Sequence, residues 1–174
     1  SVESIDVIEL EPKIIEANKA IRNIRFPEDP LADERVNINI NDARAALEMT
    51  DKKYDIIISQ PSHPWTSGAS HLYTNEFFQM AKEHLEPGGV YMQWMNSAFV
   101  DEPMFKSLGA TLLNQFDFVE LYQPVRNLML FLASTEPLEP ETGFSADGFV
   151  RPEVRDAYNR LGIYHASDVV AWLT

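Results

Sequence analysis

Ser1-Val2-Glu3-Ser4-Ile5-Asp6-Val7-Ile8-Glu9-Leu10-Glu11-Pro12 is the stretch on which the fold turns. Ile5-Asp6-Val7-Ile8 reads as a short strand with Glu9 at its tip. Pro12 follows at a first helical position, which tolerates proline because its N–H would be unpaired anyway. Glu11, just ahead, suits the positive end of a helix dipole. A strand that ends in an acid and turns into a helix matches the second strand of a nucleotide-binding α/β unit. There the acid accepts hydrogen bonds from a ribose, and a glycine-rich turn lies roughly 20 residues upstream. The sequence opens at this second strand, so the first strand and the glycine-rich turn are expected to be missing from it. A gap of that kind predicts strand rearrangement, pairing with a second copy across the gap, or a first strand present in the protein but absent from this chain.

Outward from that stretch, strand and helix patterns alternate. Ile14, Ile15, Asn18 and Ile21 recur at helical spacing and predict one buried stripe. After the polar loop Phe26-Pro27-Glu28-Asp29-Pro30, the alternation of Val36-Asn37-Ile38-Asn39-Ile40 predicts a strand, and Asp42 is placed to cap the helix that follows. Tyr54-Asp55-Ile56-Ile57-Ile58-Ser59 is a continuous apolar run, as for a parallel strand covered on both faces. Thr74 is a candidate cap for a helix carrying Phe77, Phe78, Ala81 and Leu85, stopped by Pro87-Gly88-Gly89 before a strand over Val90–Trp94. A helix from Pro103 places Phe105, Leu108 and Leu112 on one face. Phe118–Tyr122 and Leu128–Leu132 then stand only a few residues apart, which permits an antiparallel hairpin and no crossover helix. Residues 1–135 are expected to form one nucleoside-binding domain. Residues 136–174 are read as a linker and short helices, Pro152–Leu161 ended by Gly162, then Ser167–Leu173.

Composition narrows the function. The 174 residues are 45% hydrophobic, enough for a compact domain with its own core. A net charge of −13, from 27 acidic against 14 basic residues, argues against nucleic acid, whose phosphates need a basic face, and is compatible with cationic small molecules such as amines. The absence of cysteine excludes disulfides and thiolate metal sites. No apolar run reaches the roughly 20 residues of a membrane-spanning helix. His63, His71 and Glu76 have a spacing that fits no recognised metal site, so no metal is expected.

Ligands of open α/β sheets bind beyond the carboxyl ends of the strands, so the tips at Glu9, Asp42 and Gln60 are the candidates. A carboxylate only accepts hydrogen bonds, which suits Glu9 to ribose hydroxyls and Asp42 to an adenine amino group. Each also has a plain alternative, a strand-end acid for Glu9 and an ordinary helix cap for Asp42.

Ser1–Glu11, Asn41-Asp42-Ala43, Tyr54–Ile58 and Leu72-Tyr73-Thr74-Asn75-Glu76-Phe77-Phe78 through Leu85-Glu86-Pro87-Gly88-Gly89 together resemble the spermidine synthase (aminopropyltransferase) family in order and spacing. The resemblance implies an α/β, Rossmann-like, methyltransferase-type sheet with helices on both faces and a C-terminal antiparallel hairpin. It implies decarboxylated S-adenosylmethionine or S-adenosylmethionine as co-substrate, with Glu9 on the ribose, Asp42 on the adenine, and Leu10 and Ala43 beside them. It also implies a small amine as acceptor, and the expected assembly is a homodimer. The expected location is the cytoplasm, or the cytoplasmic part of a membrane protein.

The departure from the family falls on one loop. Where members carry Asp-Ser-Ser-Asp-Pro, this chain has Gln60-Pro61-Ser62-His63-Pro64. An alkylamine has a pKa of about 10, near that of lysine, and must lose a proton before it attacks a sulfonium carbon. A carboxylate can bind the cation and take the proton. Gln60 can only hydrogen-bond, and His63 is the one candidate base. Trp65 and Tyr73 either line a substrate pocket or anchor the loop. Gln60-Pro61 is also similar to the Asn-Pro-Pro-aromatic loop of amine and amide methyltransferases, which makes methyl transfer the second expectation. A non-catalytic ligand-binding or structural domain is the third.

Overall fold

The computed structural model describes residues 2–25, 29–138 and 152–173. Phe26, Pro27 and Glu28 of the expected loop, and Glu139 and Pro140 of the expected linker, lie outside the described residues. The chain divides into two compact units, Ser1–Asp51 and Lys52–Thr174.

In the first unit, β1 (Ile5–Glu9) pairs in parallel with β2 (Val36–Ile40), Ile5 facing Val36 and Glu9 facing Ile40. Between them runs α1 (Pro12–Arg25), whose start is fixed by the Glu11 carboxylate accepting from the Lys13 N–H at 2.9 Å. The expected buried stripe on α1 does not form: Ile14 and Ile21 are exposed, and only Ile15 and Asn18 are partly covered. A two-stranded sheet offers a helix too little apolar surface to bury a whole face. The buried side chains described in this unit are Ala46 and Leu47 of α2 (Ala43–Glu48). Asp42 caps that helix as expected, its carboxylate accepting from the Ala45 N–H at 3.0 Å.

The second unit is built on a four-stranded sheet of order β3-β4-β6-β5. β3 (Tyr54–Ser59) and β4 (Leu85–Asn96) are parallel, while β6 (Leu128–Ser134) runs antiparallel to both β4 and β5 (Phe118–Val125). The hairpin turns on Arg126 and Asn127, the latter at φ 65°, a left-handed conformation that asparagine tolerates better than most residues. One face of this sheet carries the core. Tyr91, Met95, Phe131 and Ala133 alternate inward and meet Phe77, Phe78 and Ala81 of α3 (Asn75–Glu83), with Leu108 and Leu112 of α4 (Glu102–Leu113). Tyr91 lies between Phe78 and Phe116, at ring separations of 5.6 and 5.8 Å. The opposite face is open on β3, where Ile56 and Ile58 are 60% and 63% exposed, so the expectation of cover on both faces is not met. Their alternation with inward Ser59 shows why a run of isoleucines misleads: the run is apolar on both faces, but within this unit one face is packed.

The second correction concerns Pro87-Gly88-Gly89. α3 ends earlier, with His84 closing it through backbone bonds to Met80, Ala81 and Lys82, and Leu85 already belongs to β4. The Pro-Gly-Gly stretch is a bulge inside that strand, where pairing jumps from Tyr54–Leu85 to Ile56–Val90. At the other end of the chain, α5 (Pro152–Arg160) is followed by Gly162 at φ 77°, as read from the sequence. α6 (Ala166–Val170) stops short of the expected Leu173, which pairs in antiparallel fashion with Tyr122 on the outer edge of β5. The Gln123 N–H donates to the Trp172 carbonyl at 2.7 Å beside it. Among the described residues no helix is long and apolar enough to cross a membrane.

Candidate functional site

The candidate ligand residues of the first unit share one end of one sheet. Parallel pairing brings the carboxyl ends of β1 and β2 side by side, and the Asn41 N–H donates to the Glu9 carbonyl at 3.1 Å where the ladder closes. Glu9 is half-buried, and its Oε1 accepts from the Glu11 N–H at 2.9 Å, which holds the side chain back over the turn into α1. Leu10 is exposed between them. Asp42 and Ala43 stand two and three residues past β2, with the Asp42 N–H donating to Asn41 Oδ1 at 2.9 Å. In both acids one oxygen is engaged by the backbone. A carboxylate has about four lone-pair directions, so each keeps capacity for ribose hydroxyls or an amino group.

In the second unit, Gln60, His63, Trp65 and Tyr73 fall on a single loop between β3 and α3. Gln60 is exposed at the tip of β3. The His63 ring stacks on Trp65 with centroids 4.7 Å apart and planes 12° from parallel, while Trp65 remains 50% exposed. A turn closed by the Thr66 N–H on the His63 carbonyl at 2.8 Å makes that stacking possible. Gly68 at φ 86° then redirects the chain into a 3₁₀ turn over Ser70–Tyr73. The Tyr73 hydroxyl donates to the Ser62 carbonyl at 2.8 Å, so this ring anchors the loop, one of the two roles open to it from sequence. Burial pushes the Tyr73 phenol up to about 12, which keeps it a donor at ordinary pH.

Beneath the loop lies a polar group that the sequence reading passed over. Gln93, fully buried in β4, accepts from the Tyr91 hydroxyl at 2.6 Å and donates to the Trp94 carbonyl at 3.0 Å and the Ser59 carbonyl at 3.4 Å. Burial raises the Tyr91 phenol still further than that of Tyr73. A glutamine at an inward-facing position of an apolar strand was visible in Val90-Tyr91-Met92-Gln93-Trp94, since its parity matches Tyr91. Among the described residues no group of three His, Asp or Glu side chains is arranged to hold a metal ion.

Residues 1–129 match the family model of the spermine/spermidine synthase domain. The chain is 29% identical over 112 residues to a polyamine aminopropyltransferase of Oceanobacillus iheyensis, covering 64% of this chain and 22% of that protein. It is 25% identical over 126 residues to thermospermine synthase ACAULIS5 of Arabidopsis thaliana, covering 70% of this chain and 37% of that one. The chain thus spans well under half the length of these curated relatives. Among solved structures, spermidine synthase in complex with the transition-state analogue AdoDATO superposes with a TM-score of 0.78 at 22% identity, over 99% of this chain and 58% of that one. Human methyltransferase-like protein 13 in complex with SAH gives a TM-score of 0.62 at 19% identity, over 91% and 70%. At such identities the structural likeness carries the fold, which is Rossmann-like and of the methyltransferase type. With most of its length matched by one family model and that fold beneath it, the chain belongs to the spermine/spermidine synthase family, as a divergent member.

Proposed function

We propose that this aminopropyltransferase-like domain binds decarboxylated S-adenosylmethionine and transfers its aminopropyl group to an amine that the altered loop receives without a carboxylate. The observation that carries the reading is the placement of Glu9 and Asp42 at the same end of the β1–β2 ladder, where a nucleoside would meet two acceptors. Glu9 takes the ribose hydroxyls and Asp42 the adenine amino group, with Leu10 and Ala43 against the rings. Gln60 orients the acceptor's N–H. The nitrogen lone pair attacks the aminopropyl carbon, the carbon–sulfur pair returns to sulfur as neutral methylthioadenosine, and the proton released from nitrogen passes to His63. A carboxamide and an imidazole in place of two carboxylates remove charge attraction for a diamine, so the favoured acceptor is less cationic than putrescine.

Methyl transfer from S-adenosylmethionine is the second reading. It is favoured by Gln60-Pro61 with an exposed Trp65 on the same loop, and by the likeness to a methyltransferase whose structure holds SAH. The two are separated by calorimetric titration with each donor and by assaying product with a panel of amines. Methylthioadenosine release supports aminopropyl transfer, S-adenosylhomocysteine release supports methyl transfer, and binding with neither product marks a non-catalytic domain. Restoring both acids in the Gln60→Asp/His63→Asp variant is expected to shift acceptor preference toward putrescine.

A further inference from the structure

We infer that Gln93 and Tyr73 are positioning residues that clamp the two carbonyls flanking Gln60-Pro61 and so set the direction in which the Gln60 carboxamide meets its acceptor. This inference rests on the reading of Gln60 as the residue that orients the acceptor nitrogen. Ser59 and Gln93 are register partners at the last pair of the β3–β4 ladder, where the strand gives way to the loop. The Gln93 amide reaches the Ser59 carbonyl there, at 3.4 Å. Three residues on, the Tyr73 hydroxyl holds the Ser62 carbonyl at 2.8 Å from a different element, the 3₁₀ turn ahead of α3. The segment carrying Gln60 is therefore fixed at both ends by side chains, while Gln60 itself stays exposed.

The orientation of the Gln93 amide follows from its surroundings. Its nitrogen faces two carbonyls, Ser59 and Trp94, and its oxygen faces the Tyr91 hydroxyl. The reversed amide would set oxygen against two carbonyl oxygens, so a single orientation satisfies all three partners. A fully buried amide with its donors and acceptor all used is rigid, and Gln93 transmits that rigidity to the end of β3. Pro61 and Pro64 remove two backbone donors from the loop.

The test uses Tyr73→Phe, which removes one hydroxyl and keeps the ring, alongside Gln93→Met. In Tyr73→Phe, amide exchange from Gln60 to Thr66 is expected to quicken roughly tenfold with the melting temperature nearly unchanged. The kcat for amine transfer is expected to fall about tenfold while KM for the adenosyl donor stays as in the parent chain. Gln93→Met should reproduce the same split, and the double variant should lose less than the product of the two single losses. Unchanged exchange in both variants overturns the clamp. Faster exchange with undiminished kcat overturns its positioning role. If the parent chain turns over no amine, the functional reading falls by that result alone, and the exchange measurement still decides the clamp.

Discussion

Asp42 does one job that the structure displays and is assigned another by its place at a strand tip. Its carboxylate accepts from the Ala45 N–H at 3.0 Å and caps α2, and the proposed function gives its remaining capacity to an adenine amino group. The two roles separate by substitution. Asp42→Ala removes both, so it is expected to destabilise the chain by about 1 kcal/mol and to abolish adenosyl binding. Asp42→Ser keeps a capping oxygen but loses the charge and the second acceptor, so it should hold stability within a few tenths of a kcal/mol and still bind the donor at least about tenfold more weakly. Urea unfolding and calorimetry check the two arms. Equal affinity in Asp42→Ser and the parent would leave Asp42 a cap and nothing more. The cap was legible in Asn41-Asp42-Ala43 because capping is local. The Gln93 network was not, because its partners Ser59 and Gln93 lie 34 positions apart and meet only when β3 and β4 pair.

Among the elements, β4 shows most clearly how a local rule yields to its setting. Proline and two glycines in a row read as a helix stop, yet they lie inside a strand whose ladder they offset. Gly88 sits at φ 72°, and a Cβ on Gly89 would lie 2.8 Å from the Glu86 carbonyl oxygen and 3.1 Å from that of Tyr54. The Gly89 carbonyl in turn accepts from the buried Ser134 hydroxyl at 3.0 Å, which ties the bulge to the end of β6. Gly89→Ala therefore drives a methyl group into fixed backbone of two strands and is expected to cost about 2 kcal/mol or more. Gly88→Ala pays chiefly for its left-handed backbone, about 1 kcal/mol. Urea midpoints that rank the two in the opposite order would contradict this account of the bulge. The same strand supplies Tyr91 to the core and Gln93 to the loop, so damage to the bulge is expected to reach both.

For the whole molecule, stability is expected to fall at alkaline pH, because the half-buried Tyr73 and the buried Tyr91 and Tyr122 hold their phenol protons in the fold. Tyr73 is pushed up to about 12 and Tyr91 higher, both by burial, against an unfolded value of about 10. The folded state keeps these protons longer than the unfolded chain does. Their contribution is therefore complete below about pH 10 and is lost as pH rises from there through their folded values, that of Tyr73 being about 12. Urea midpoints are expected to fall between about pH 10 and about pH 12, and to fall less steeply in Tyr73→Phe, where one of the phenols is gone. An equal decline in both chains would remove Tyr73 from the explanation. At this scale the strands, their succession along the chain and the closing hairpin were present in the sequence, because strand periodicity, caps and a short connection are written in neighbouring residues. So were the acids at the strand tips and the altered Gln60–His63 loop. The division into a two-stranded and a four-stranded sheet, the open face at Ile56 and Ile58, the bulge at Gly88-Gly89 and the seating of Leu173 against Tyr122 were decided only in three dimensions. Each depends on which distant backbone lies alongside, and apolar spacing states that a face wants cover without naming what covers it.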